Sequence, residues 1–276
     1  MIPASWQQQV GIFHIGDTIM KALFFSLILM CCLGGQCLLA EIKPMPPVKI
    51  VLLGDSTVQN YSLPNERRGW GQVIGEYLTD NVTIVNLAAG GRSTKTFISE
   101  GRLDNALAEN ADYAMIQFGH NDSHAKENPE STDPNGDYRD YLKQYIQAFN
   151  DKGVKMLFVT PMHRRIFRKD GSMATILLPY RNAMLAITTE YKQPVVDLYQ
   201  LSEDLFLHVG PEKSEYLSCN DKDRSHFSPK GAQAMALLIL QDMLKQNHPL
   251  AAYIKPDVAA MLRKTPAVEL APKPED

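Results

Sequence analysis

Cysteine is scarce in this chain of 276 residues: there are four, and Cys31, Cys32 and Cys37 all fall in one apolar stretch near the N-terminus. Beyond that stretch only Cys219 remains, so no intrachain disulfide can staple the rest, which excludes a small disulfide-framed fold. No partner pattern surrounds Cys219, which argues against a catalytic thiol. Charge of one sign is also missing. Lys and Arg number 28 against 31 Asp and Glu, a formal net charge of −3, so the chain lacks the basic stripe of a nucleic-acid binder. It has no internal repeat. The apolar run 22–33 is too short for a spanning helix, which needs roughly 20 residues.

What is present at the N-terminus has the order of a secretory signal. Lys21 precedes the run Ala22 to Leu33, small residues Gly34 and Gly35 follow, and Leu38-Leu39-Ala40 stands before Glu41. A basic start, an apolar centre and a small residue before the break predict a leader cleaved after Ala40. Met20 is then the natural start, with 1–19 an upstream extension. The expectation is a leader over 1–40, a mature protein that is periplasmic or secreted, and no membrane attachment once the leader is gone. An uncleaved anchor is the alternative.

The chain as a whole is 45% hydrophobic, enough for one sizeable core. Short apolar, β-branched runs at 48–53, 82–87, 113–118, 154–160 and 194–198 read as strands buried on both faces. Helical periodicity fills the gaps at 70–78, 101–109, 138–150, 179–191 and 201–209. Ser228-Pro229 is an N-cap followed by Pro at the first helical position, opening a helix to about Asn247. Strands alternating with helices predict an α/β fold with a parallel sheet covered on both faces. One domain over 48–250 is expected, and the Pro-, Lys- and Glu-rich stretch 265–276 reads as a disordered tail.

In such a sheet, ligands bind beyond the carboxyl ends of the strands. Ser56 directly follows the first strand, Gly90-Gly91 the second and Asn121 the third, so all three reach one rim. A serine hydroxyl needs a base to attack a carbonyl. His226 is the candidate, with Asp223 on the same turn to orient the ring. The Ser56 and Gly91 N–H groups and the Asn121 amide could hold the resulting oxyanion. Taken singly, each residue has a plainer reading: Ser56 as a turn serine, Asp55 as a turn brace, Trp70 and the Tyr138, Tyr141, Tyr145 stripe as core, Arg92 and Arg102 as loop braces. His120, Asp122 and His124 lack the spacing of a metal site. Arg92, and His163 and Arg164 just past the fourth strand, are candidates to hold a substrate, with His163, Arg164 and Arg165 facing an acidic sugar.

Gly54-Asp55-Ser56-Thr57-Val58, Gly69-Trp70-Gly71-Gln72, Gly90-Gly91-Arg92-Ser93 with Phe97, Glu100-Gly101-Arg102-Leu103, Gln117-Phe118-Gly119-His120-Asn121-Asp122 and His226-Phe227-Ser228 occur in this order. Together they resemble the blocks of the SGNH (GDSL-like) hydrolase superfamily, and within it the rhamnogalacturonan acetylesterase-like family. The likeness runs from about Val48 to about Leu244. It implies a flavodoxin-like three-layer α/β/α sandwich with a five-stranded parallel sheet. It also implies Ser56, Asp223 and His226 as the catalytic triad, Ser56, Gly91 and Asn121 as the oxyanion hole, and no metal or organic cofactor. The expected activity is removal of O-acetyl groups from cell-wall polysaccharide, pectic rhamnogalacturonan first. An acetylated polysaccharide or oligosaccharide would be the partner, and no nucleic acid. The stretches 128–137, 169–179 and 210–222 depart from the family pattern, which leaves sugar specificity open. The alternatives are a lipase- or thioesterase-type esterase, a non-catalytic carbohydrate-binding protein and an O-acetyltransferase on the same scaffold.

Overall fold

The computed structural model describes residues 45–274. The expected leader over 1–40 and the last two residues of the expected tail lie outside the described residues. Five strands form one wholly parallel sheet: β1 (Val48–Gly54), β2 (Val82–Asn86), β3 (Tyr113–Gln117), β4 (Lys155–Val159) and β5 (Val195–Val196), in the order β2-β1-β3-β4-β5. The α-helices are α1 (Trp70–Val73), α2 (Thr94–Ser99), α3 (Arg102–Ala108), α4 (Asp137–Asp151), α5 (Leu178–Glu190), α6 (Leu198–Val209), α7 (Pro229–Lys245) and α8 (Pro256–Lys264). This is the parallel α/β arrangement that the alternation of strands and helices predicts, in the flavodoxin-like form that the resemblance implies.

Alternation along each strand divides the core in two. Ile50 and Leu52 of β1 face one way, into a cluster with Trp70, Leu198, Phe206 and the Ala232–Met243 face of α7. Val51 and Leu53 face the other way, into a cluster with Phe97, Phe118, Tyr138, Tyr145 and Met184. Successive side chains on a strand point to opposite faces, so a continuous apolar run supplies both layers at once. Trp70, Tyr138 and Tyr145 are fully buried, as the core reading of these aromatics expects. Tyr141 is only partly buried.

Three local features depart from the periodicity. The helix expected over 70–78 is α only to Val73 and continues as a 3₁₀ turn, Ile74–Tyr77. Helix α2 is too short to carry an apolar period; it forms because Ser93 and Thr96 make a reciprocal capping box. The stretch after Lys264 is not a free tail. Gln241 Nε2 donates to the Leu262 and Thr265 carbonyls at 2.7 Å each, a 3₁₀ turn spans Ala267–Glu269, and Leu270 is buried in the first core cluster. Composition predicted disorder there, but one leucine with a layer to enter and the satisfied Thr265 carbonyl fix the segment. Among the described residues no helix is long and apolar enough to cross a membrane.

The order β2-β1-β3 places the chain's reversal of direction between β1 and β3. Gly54 pairs in register with Gln117, so the loops leaving these two strands start side by side. The first turn of α7 is packed equally closely. A Cβ built on Gly231 would lie 1.9 Å from the Leu217 carbonyl oxygen, which is backbone and cannot step aside. We therefore expect Gly231→Ala to cost about 1–3 kcal/mol or more through overpacking, read as a lowered urea midpoint with an unchanged m-value.

Candidate active site

The turn after β1 is built around one carboxylate. Asp55 Oδ1 accepts from the Thr57 N–H and the Thr57 hydroxyl, both at 2.8 Å, and the Asp55 carbonyl accepts from the Val58 and Gln59 N–H groups. That turn leaves Ser56 at its outer corner, where Tyr61 Oη donates to the Ser56 carbonyl at 2.7 Å. Beneath it a buried series runs inward: Gln117 Nε2 donates to Thr57 Oγ1 at 2.5 Å, and Trp70 Nε1 donates to Gln117 Oε1 at 2.8 Å.

His226 arrives from the far end of the chain on a segment held from both sides. The Arg68 N–H donates to the Phe227 carbonyl at 3.0 Å, while the Cys219 N–H donates to the His226 carbonyl at 3.1 Å. Ser228 then caps α7 by accepting from the Gly231 N–H at 3.1 Å. The ring lands with Nε2 2.8 Å from Ser56 Oγ and Nδ1 2.8 Å from Asp223 Oδ2. Asp223 Oδ1 accepts from the backbone N–H groups of Ser225 and His226, and Arg67 lies 3.5 Å from Oδ2. Burial pushes the Asp223 carboxyl up, but those two N–H groups and the imidazole outweigh it and hold it at about 2. An ionised carboxylate, a ring and a hydroxyl in series can take a proton from the hydroxyl as it attacks a carbonyl.

Ser56, Gly91, Asn121 and His226 line one cavity of about 370 Å³. Gly91 has φ +79°, and nothing lies within 4 Å of where a Cβ would stand. Its backbone is therefore open to an approaching ligand, in a conformation that favours glycine. Asn121 Nδ2 donates one hydrogen to the Arg92 carbonyl at 2.9 Å, which aims the amide and leaves its second hydrogen for another acceptor. The next residue, Asp122, is fully buried: Oδ1 accepts from Thr94 Oγ1 at 2.5 Å, the Thr94 N–H at 3.1 Å and Thr132 Oγ1 at 3.0 Å. Burial raises its carboxyl to about 7 despite these donors.

Of the residues expected to hold substrate, only Arg164 lines the cavity. Arg92 is engaged by Glu100, at 3.0 Å, and by the Gly90 carbonyl, at 2.8 Å, which is the bracing role. His163 has no exposure at all: its ring packs on Tyr199 with centroids 4.7 Å apart, and Nδ1 is 2.7 Å from the Arg164 carbonyl. Arg165 is likewise interior, donating to Ser218 Oγ and the Pro211 carbonyl. Both were expected on the rim because they follow β4, but the chain turns inward there. Cys219 is buried, and burial raises its thiol. His124 meets Glu130 at 2.6 Å, and no cluster able to hold a metal ion occurs among the described residues. The cavity also takes in Gln59, Tyr61 and Arg67, which sequence reasoning missed. They lie in and after the turn that carries Ser56, where no periodicity marks a functional side chain.

Comparison with known proteins fits this geometry. Over 211 residues the chain is 37% identical to the probable rhamnogalacturonan acetylesterase YesY of Bacillus subtilis, covering 74% of this chain and 96% of that one. It is 36% identical over 225 residues to the rhamnogalacturonan acetylesterase RhgT of the same organism, covering 75% and 94%. The crystal structure of B. subtilis YxiM superposes with a TM-score of 0.65 at 30% identity, over 74% of this chain and 58% of that one. Residues 52–234, from the end of β1 into α7, match the family model itself, and so the chain belongs to the GDSL-like lipase/acylhydrolase family.

Proposed function

We propose that this protein is a carbohydrate O-acetylesterase working through an acetyl-enzyme. The observation that carries the reading is the unbroken series Ser56–His226–Asp223, with 2.8 Å at each step, opening on a cavity that also presents Gly91 and Asn121. Ser56 Oγ attacks the acetyl carbonyl while His226 Nε2 takes its proton. The tetrahedral oxyanion rests on the Ser56 and Gly91 N–H groups and the Asn121 amide, each such donor being worth roughly 3–4 kcal/mol. His226 then protonates the departing sugar oxygen. It next takes a proton from water, which attacks the acetyl-enzyme and releases acetate.

The lining supports a sugar ester over a fatty one. Gln59, Tyr61, Arg67, His124 and Arg164 surround the serine, and a long acyl chain would find no apolar trench among them. The relatives named as rhamnogalacturonan acetylesterases support pectic rhamnogalacturonan as the polymer. The signal-like order of 21–41 supports action outside the cytoplasm.

Ser56→Ala is expected to reduce kcat by about 10⁴-fold or more while leaving the thermal transition in place. A variant with most of its acetate release intact would overturn the reading. Asp223→Asn should lower kcat by about 10⁴-fold, by analogy with other triads. Asp223, held at about 2, is ionised throughout the working range, so the carboxylate beside the ring keeps its charge there. Arg164 is the one cation of the original candidates that reaches the cavity. Arg164→Gln should reduce kcat/KM on acidic acetylated oligosaccharides about tenfold more than on neutral ones, the worth of a charge-assisted hydrogen bond. An unchanged ratio would remove it from substrate recognition.

A further inference from the structure

Two groups at the floor of the cavity, His120 in its lining and Asp55 behind it, are not used by the chemistry above, and they face each other. Asp55 is fully buried and His120 is 4% exposed. Asp55 Oδ2 and His120 Nδ1 are 3.5 Å apart, and neither atom has a hydrogen-bond partner among the described residues. At that separation the contact is an electrostatic one and not yet a short hydrogen bond. An unpartnered buried carboxylate oxygen is costly, and among the described residues the ring opposite it and the nearby Arg164 charge offset that cost. Burial would push the Asp55 carboxyl up; the His120 ring and the Thr57 donors reverse this and hold it below its ordinary value.

The sequence neighbours give the contact its meaning. Asp55 immediately precedes Ser56, and His120 immediately precedes Asn121. Each is also fixed on its own side. Asp55 Oδ1 is fully occupied by Thr57, while the His120 carbonyl accepts from Ser123 Oγ at 2.8 Å and from Arg164 at 3.1 Å. The sheet register brings β1 and β3 together only as far as Gly54 and Gln117. Past that point the two loops have no ladder to hold their spacing. We propose that Asp55 and His120 are a positioning pair that sets the distance between the nucleophile Ser56 and the oxyanion donor Asn121.

This inference rests on the nucleophile and oxyanion roles given above. It predicts a defect in turnover and not merely in folding, since misplacing a reacting group by ~1 Å costs about 100-fold. His120→Ala should therefore lower kcat per active serine by about 10- to 100-fold, with KM for a short acetyl ester changed less than threefold. His120→Asn, whose amide nitrogen stands near the lost Nδ1, should recover most of it. Asp55→Ala and the double variant should fall no further than the worse single change. Active serine is counted by a fluorophosphonate probe, with the labelled residue located by peptide mass. If wild-type protein is not labelled at Ser56, the nucleophile reading fails. If Ser56 is labelled but His120→Ala turns over within twofold of wild type per labelled site, the positioning pair fails while the nucleophile stands. Losses that add in the double variant, or a His120→Asn as impaired as His120→Ala, would also overturn it. Should His120→Ala not fold, Asp55→Asn carries the same test: it keeps an acceptor for Thr57 and replaces the charged acceptor facing His120 with a neutral N–H donor, and an unchanged kcat would refute the pair.

Discussion

The site depends on a buried polar series that joins the core to the corner of one turn. Trp70 holds Gln117, Gln117 holds Thr57, and Thr57 holds Asp55, with each link between 2.5 and 2.8 Å and Trp70 fully buried. A buried donor or acceptor left unpaired costs about 1–3 kcal/mol, so the series is stable only when complete. Completeness gives it direction. Gln117 is the last residue of β3 and Trp70 the first of α1, so a strand and a helix both constrain the backbone beside Ser56. A serine on a free loop would sample many positions. This one is fixed from below by groups that cannot move without leaving a buried partner bare.

The parallel sheet supplies the rest of the convergence. Every strand runs the same way, so every loop that follows a strand emerges at one edge. The sheet delivers Ser56 and Asn121 side by side because β1 and β3 are neighbours. It delivers Gly91 from β2 on the other side of β1. His226 is the exception: it follows no strand. Its segment reaches the rim because Arg68 and Cys219 bond it from opposite sides, and because α7, buried along Ala232–Met243, fixes where that segment must end. Gly231 belongs to the same constraint. A side chain there would push the start of α7 off the Leu217 carbonyl, and His226 is only five positions earlier.

Much of this could be read from the residues alone. Continuous apolar runs marked β1 to β4, Ser228-Pro229 marked the start of α7, and glycine-containing turns after three strands marked the rim. What escaped had no local period to betray it. Helix α2 depends on a capping box of two side chains. The segment after Lys264 is ordered by one buried leucine and by Gln241, which lies far back in α7. His163 and Arg165 were misplaced for a related reason. Following a strand determines which edge a residue reaches, but whether it faces solvent or core depends on partners such as Tyr199, Ser218 and Pro211, which come from a helix and a loop remote in sequence. Gln59, Tyr61 and Arg67 were missed because loop residues reveal a role only through what the fold sets opposite them.

Electrostatics explains how such a site tolerates its own buried acids. The oxyanion hole proposed above must favour negative charge, yet Asp55 and Asp122 flank two of its proposed donors and are both fully buried. Two unmatched carboxylates there would oppose the developing charge and weaken the N–H and amide donors aimed at it. The structure resolves the conflict differently at each position. Asp55 is kept ionised, below its ordinary range, and its charge is met by the His120 ring and the Thr57 donors. Among the described residues Asp122 has hydroxyl and N–H partners and no ion pair, and burial raises it to about 7, which reduces the charge it carries near neutral pH. One acid is balanced and the other is partly discharged. Both still serve as hydrogen-bond acceptors for the loops that carry Ser56 and Thr94. Carboxylates can thus build the frame of an oxyanion site, provided that their charge is cancelled before it reaches the substrate.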